Sequence, residues 1–451
     1  MTLPLAALTV PSSDLESCGD RLDCDVLIVG GGMVGATLAA ALGQTELTVK
    51  VIEARALDLQ RSGSVELGAD GRASALALGT VRMFQAMGIW SQMSQLGVSP
   101  IHRIQVSDGQ FSQVATLHRD EIQAEALGYV VPNWVTQMGV LDSLDRCDNV
   151  QLLSSTRVQQ VVHQQDAVAV AIAPAGEEVR WLRSRLLVAA DGARSRLRQN
   201  ANIPVSSWGY GQACIVATVT TARPHSQTAF ERFQPSGPFA ILPVREAAGK
   251  VKSCRSCVVW TIRETERDRL MALGDADFIA ALSPSFGPQL GAIESVGPRA
   301  CYTPQRSHSR TYVKPRFALV GDAAHSTHPV GGQGVNLGMR DVAALAQVLV
   351  EARAAGEDIG DLAVLQRYEH WRRFDNGAVL FATDAANRLF SNQLWPLQWL
   401  RRLGLLALPL LPPLKRWLMR QAMGLGGRRA HLIDGRPLGR SLEPVREGVV
   451  S

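Results

Sequence analysis

A chain of 451 residues that is 46% hydrophobic can bury a large core and divide into two or three domains, which argues against a disordered or fibrous protein. Its net charge of +5 is local. Between Asp384 and Asp434 no acidic residue offsets Arg388, Arg401, Arg402, Lys415, Arg416, Arg420, Arg428 and Arg429, and without those eight, 38 basic residues face 41 acidic ones, so the body of the protein lacks the charge of a nucleic-acid-binding surface.

Residues 1–22 read as an N-terminal extension. The stretch has no basic start and turns acidic at Asp14, Glu16 and Asp20, unlike a signal or transit peptide, and a cytoplasmic protein is expected. Seven scattered cysteines, an odd number, suit a reducing compartment better than a disulfide framework.

The first strong pattern is DVLIVGGGMVGATLAAALGQTELTVKVIE, residues 25–53: an apolar strand, a glycine turn, a helix former and a second strand ending at Glu53. This is the context in which a glycine fingerprint binds a dinucleotide. Gly30 permits the turn, Gly32 lets a pyrophosphate approach the backbone and Gly35 lets the helix lie close on the sheet. Val34 belongs to the same cofactor-facing turn, and Glu53 falls where a ribose partner is required. The fingerprint alone does not separate NAD from FAD.

Two more motifs follow. LLVAADGARSRLRQNANI, residues 186–203, runs from an apolar strand into Asp191 and Gly192, then Ser195 and Arg198. Residues 316–352 hold a strand from Phe317 to Val320 ending in Gly321 and Asp322, a glycine-rich loop through Pro329, Gly332 and Gly334, and a helix beginning near Val335 and Asn336 with apolar residues at Leu337, Val342, Leu345 and Leu349. Between these motifs, residues 213–262 contain ACIVATVTT, TAFERF and PFAILPV, which read as strands of a sheet.

No metal is expected. Cys254 and Cys257 have metal-like spacing but no completing pair, and a strand would turn them to opposite faces. His325 and His328 lack a carboxylate or cysteine at ligand spacing, so a role in bracing the loop is expected.

Residues 389–451 are expected to form a C-terminal helical segment, and within it residues 389–425 alternate apolar blocks with basic pairs. Its longest uncharged run, Leu403 to Leu414, is 12 residues and contains prolines, too short for a span of about 20 residues. Trp395, Trp399 and Trp417 beside arginines point to peripheral membrane association at the headgroup level, the competing reading being a helix packed on the protein's own core.

Taken together, the fingerprint ending at Glu53, ADGARSRLR and GDAAHSTHPVGGQGVNLGMRD resemble the flavin-dependent aromatic hydroxylases of the para-hydroxybenzoate hydroxylase fold. The wording HPVGGQGVNLGMRD is closest to the ubiquinone-biosynthesis hydroxylases, which oxygenate the ring of polyprenylated phenols. GRASALALGTVRMFQAMGIW, ERFQPSGPFAILPV and the region 388–425 extend the likeness over roughly residues 23–430.

The resemblance implies an α/β fold: a Rossmann-like FAD-binding domain (23–100, 128–204 and 300–388) with an inserted antiparallel β-sheet substrate domain (101–127 and 205–299). It implies FAD as cofactor, NAD(P)H or a reduced electron carrier as donor, and a flavin hydroperoxide that passes oxygen from dioxygen to a lipophilic prenylated phenol. By carry-over, Arg72 reaches the FAD phosphates, Gln137 and Asp191 lie near the flavin, Asp322 accepts from the ribityl chain, and the loop from Pro329 to Asn336 lies against the isoalloxazine. Pro132 stands where the family usually has Glu, which removes that side chain's role.

No catalytic base stands out. The pocket candidates are Phe239, Leu242, Pro243 and Pro329. The implied setting is ubiquinone or plastoquinone biosynthesis, with membership of a quinone-biosynthesis complex and association with the inner face of the membrane as further expectations. The competing readings are a flavoprotein reductase of prenyl groups and a non-catalytic FAD-binding scaffold.

Overall fold

The computed structural model describes residues 21–57, 72–109, 114–245, 253–390, 399, 401, 403–404 and 406–439. At its centre, five parallel strands lie in the order Phe317–Leu319, Arg180–Ala189, Cys24–Val29, Val49–Ile52 and Val150–Leu153. Apart from the outer strand Val150–Leu153, which is only partly buried, their apolar runs are buried on both faces, as a parallel sheet covered by helices requires. Val313–Lys314 adds an antiparallel edge, and Val168–Pro174 and Thr156–His163 extend the sheet from Arg180–Ala189. The helices Met33–Leu42 and Gln333–Ala354 pack on each other, and Leu362–Phe390 packs along the second of them.

A second, seven-stranded sheet has the order Ile293–Tyr302, Gln212–Thr221, Arg255–Arg263, Gly237–Pro243, Thr228–Gln234, Arg103–Asp108 and Val114–His118. All neighbours are antiparallel except Thr228–Gln234 with Arg103–Asp108. One face packs Phe239, Ile241, Val258 and Trp260 against Phe278, Leu282 and Phe286 of the helix Asp275–Phe286. The register places Gln212, Cys214, Thr261, Cys257, Ala240, Leu242 and Glu231 on the other face.

This is the α/β architecture with an inserted antiparallel sheet that the sequence implies. Two boundaries move. The strand Ile293–Tyr302 keeps its ladder with Gln212–Thr221 three residues beyond the expected limit at 299. Val205–Gly209, expected in the inserted sheet, pairs instead with Gln305–Ser309, which in turn meets His325–Ser326.

Candidate cofactor-binding site

The three sequence-distant motifs meet because their strands are neighbours in register: Val29 lies beside Ala189, and Ala189 beside Leu319. The turns that follow, carrying Gly30, Asp191 and Gly321 with Asp322, therefore leave the sheet together at its carboxyl end, where open α/β sheets bind ligands.

The glycines of the fingerprint divide into two kinds. A Cβ on Gly30 would sit 2.3 Å from the Ala190 carbonyl oxygen, and Gly30 has φ of +109°, so the fold itself demands glycine there. At Gly32 an added Cβ meets no described residue within 4 Å, and φ of −69° is open to any residue. Gly32 stands beside the start of the helix Met33–Leu42, whose first amides have no side-chain cap. Such a helix N-terminus fits a pyrophosphate. Val34 packs toward Gly321 and Gly338, seating the fingerprint helix on the third motif rather than offering its side chain to a ligand.

Glu53 is buried after its strand. Its Oε2 accepts from the Gly31 amide at 2.8 Å and Oε1 accepts from the Arg55 amide and Nε at 2.9 and 3.2 Å. Oε2 keeps a lone pair for a hydroxyl. Asp191 caps the short helix Arg196–Asn200 through Oδ2, which accepts from the amides of Arg196 and Leu197, while its Oδ1 has no hydrogen-bond partner. Arg198 donates to the carbonyls of Ala323 and Ala193 at 2.8 and 3.0 Å, clamping the second motif to the third.

In the third motif, Gly331 and Gly332 both adopt φ of +62°, turning the chain into the helix Gln333–Ala354 without a side-chain cap. Gly332 runs against the strand Ala73–Ala77, where a Cβ would stand 3.2 Å from that of Ala75. At Gly334 an added Cβ meets nothing among the described residues. Asp322 is solvent-accessible and has no partner among the described residues. Reduced hydration amid the surrounding protein pushes its carboxyl up, against the pull of His325. Val335 and Pro329 are half-buried at the loop.

The Asn336 side chain accepts from the Ala77 amide and the Thr80 hydroxyl and donates to the carbonyls of Ala75 and Gly332, so it braces the loop and leaves the backbone for a cofactor. Phe239 and Pro243 need correcting as pocket walls: the two-residue period of the strand Gly237–Pro243 turns them to the face opposite Leu242, and Phe239 is fully buried edge-on to Phe286. Leu242 stays on the face turned toward the loop. Arg72, just before the strand Ala73–Ala77, accepts through its carbonyl from the Asn133 amide at the start of the helix Asn133–Leu144, and Gln137 lies one turn further along that helix; Arg72 is exposed and Gln137 half-buried.

What the motifs did not reveal is the support behind the loop. Asp341, fully buried, accepts through Oδ2 from His325 at 2.5 Å and the Gly321 amide at 3.1 Å, and through Oδ1 from Arg372 at 2.9 Å and Asn376 at 3.0 Å. Burial alone would raise this carboxyl, yet the charge and hydrogen bond of His325 and the charge of Arg372 hold it below the usual carboxylate range. His328 Nε2 lies 3.1 Å from Gln212 Oε1, joining the loop to the second sheet, and burial lowers the ring to about 4, so it is neutral. The histidines brace the loop, and among the described residues no group of three His, Cys, Asp or Glu could hold a metal.

Comparison with known proteins accords with this geometry. Residues 23–386 match the family model described as "FAD binding domain". The chain is 42% identical to ubiquinone hydroxylase UbiL of Rhodospirillum rubrum, covering 96% of this chain and 98% of that protein. It is 33% identical to the 3-demethoxyubiquinol 3-hydroxylase of Escherichia coli K12, covering 89% and 98%. Among solved structures, p-nitrophenol 4-monooxygenase PnpA from Pseudomonas putida DLL-E4 superimposes with a TM-score of 0.72 at 20% identity, over 90% of this chain and 99% of that one, which establishes a shared fold. The chain belongs to the ubiquinone-biosynthesis hydroxylase family of FAD-binding monooxygenases.

Proposed function

We propose that this member of the family is an FAD-dependent monooxygenase that hydroxylates the aromatic ring of a polyprenylated phenol in ubiquinone biosynthesis, using electrons from NAD(P)H or another reduced carrier. The observation that carries this reading is the convergence of Gly32, Asp191, Asp322 and Gly334 at one end of the parallel sheet, with no described residue over either glycine. When bound, FAD supplies the activation of dioxygen.

The chain's own groups do the rest. The amides beyond Gly32 would hold the pyrophosphate, Glu53 the ribose and Arg72 the phosphates, and Asp191, Asp322 and Gln137 would serve the ribityl and flavin portions. The uncapped start of the helix Gln333–Ala354 would offer its positive end to a flavin, stabilising the negative charge that reduction brings. Ala240 and Leu242 on the second sheet, with Pro329 on the loop, present apolar surface that keeps water from the reacting ring.

A lipophilic substrate suits the C-terminal segment. The helix Pro412–Ala422 docks through Met419, in a cluster with Leu78, Ile101 and Leu127, and through Lys415, whose Nζ reaches Glu121 at 2.6 Å. Leu410 and Leu411 just before the helix, and Leu414, Trp417 and Leu418 on it, are exposed beside Arg416 and Arg420. Among the described residues no helix is long and apolar enough to cross a membrane. Peripheral attachment to the inner face of the bilayer would let the prenyl tail enter from lipid; Trp395 lies outside the described residues.

The test is turnover of the FAD-loaded protein with a reductant and 2-(3-methylbut-2-enyl)phenol under isotopically labelled dioxygen. A product one oxygen heavier, carrying label, is expected. No oxygenated product, or a reduced prenyl group, would overturn the reading.

A further inference from the structure

Two carboxylates share the face of the second sheet that looks toward the glycine-rich loop. Cross-strand register sets Glu231 beside Ala240 on one side and Val106 on the other, and sets Phe233 beside Asp108. Both acids therefore point the same way as Leu242, Cys214 and Gln212, the residue that touches His328.

Their fates differ. Asp108 is buried and paired with Arg401 at 2.8 Å. Glu231 is half-buried, and no hydrogen bond or ion pair among the described residues engages its carboxylate. The other charges of the surrounding elements do not face it free: Arg103 and Arg232 turn to the opposite face, Arg232 donating to the Ser285 carbonyl, and Asp384 of the helix Leu362–Phe390 binds Arg306, Arg388 and the Tyr210 hydroxyl.

An ionisable group placed among Ala240, Leu242 and the stacked rings of Phe233 and Phe390, which lie 4.0 Å apart, costs stability unless something uses it. Lost hydration pushes the Glu231 carboxyl up to about 7, the range in which a general base is most effective at neutral pH. On the same face, burial pushes the Cys214 thiol up to about 12, out of that range.

Resting on the hydroxylase reading above, we propose that Glu231 is a catalytic residue that takes the phenolic hydroxyl of the substrate, as hydrogen-bond acceptor in the bound state and as proton acceptor during ring oxygenation. The balance is simple. The phenol O–H bond breaks, a carboxyl O–H bond forms on Glu231, and the electron pair left on oxygen delocalises into the ring, making its carbons more nucleophilic toward an electrophilic oxygen. The proton leaves to solvent before the next turnover. The site thus selects a free phenol over its ethers.

Two measurements on FAD-loaded protein test this. In the first, the flavin absorbance change reports binding of 2-(3-methylbut-2-enyl)phenol and of its O-methyl ether, which cannot donate. The wild type should prefer the phenol about tenfold at pH 8 and lose the preference by pH 5.5, when Glu231 is protonated; Glu231→Gln should lack the preference at both. In the second, Glu231→Gln should lower kcat for hydroxylation at least about 100-fold and abolish the fall in rate below pH 7, while Glu231→Asp keeps that fall.

A Glu231→Gln enzyme with wild-type rate and pH profile, or a phenol preference indifferent to Glu231, would overturn the assignment. If the wild type shows the Glu231-dependent preference but makes no oxygenated product, the hydroxylase reading falls and the phenol site stands.

Discussion

A Cβ on Gly35 would lie 1.9 Å from the carbonyl oxygen of Gly30, whereas one on Gly32, three residues earlier, would touch none of the described residues. The two positions thus separate folding from binding within one fingerprint. Gly35→Ala should cost about 3 kcal/mol or more, because backbone cannot yield as a flexible side chain would. Gly32→Val should unfold at the wild-type temperature but bind FAD at least about tenfold more weakly. Denaturation and FAD titration on both variants check this, and a Gly32→Val protein with wild-type FAD affinity would remove the pyrophosphate from the proposed position.

Gly334 carries the same logic to the third motif. It sits in the first turn of a helix, meets no described neighbour, and has no positive φ, so Gly334→Leu should fold. The new side chain would fill the space assigned to the flavin. The purified variant should be colourless, and one that retains full yellow absorbance would refute the placement.

Behind the loop, Asp341 accepts four hydrogen bonds, from His325, Gly321, Arg372 and Asn376. Asp341→Ala leaves the Arg372 guanidinium buried without this partner and should cost about 3–5 kcal/mol. The pH dependence has a definite sign. The folded carboxyl lies below its ordinary value, so its contribution is complete above about pH 4 and is lost as pH falls through the folded value. The stability gap between wild type and variant, followed by denaturant titration, should be constant from pH 8 to 5 and narrow below about 4.

Leu410 and Trp417 are 79% and 56% exposed, so they can be changed without disturbing the core. The double substitution Leu410→Glu and Trp417→Glu should leave thermal unfolding within about 0.5 kcal/mol of wild type and reduce sedimentation with anionic liposomes. Unchanged sedimentation would place membrane contact elsewhere or nowhere.

The chain's local spacing was enough to read the three motifs, the parallel strands that carry them and the helices that follow. Each depends on residues within about 30 positions of one another, and glycine at Gly30 or Gly332 reports a backbone conformation directly. The inserted sheet was legible as strands, but its faces were not. Phe239 and Leu242 look equally apolar in sequence, and only the pairing of Gly237–Pro243 with Arg255–Arg263 decides which meets the helix and which meets the loop.

The same holds for the polar groups. The bracing role of the Asn336 side chain is invisible until its four partners, drawn from as far away as Ala75, are seen around it. Asp341 reads as an ordinary helix residue until Arg372 and His325 close around it, and Glu231 as an ordinary strand residue until its neighbours prove to be committed elsewhere. Sequence determines local conformation and the chemistry available to it. Burial and hydrogen-bond partnership belong to pairs of distant residues, and those pairs exist only once the chain has folded.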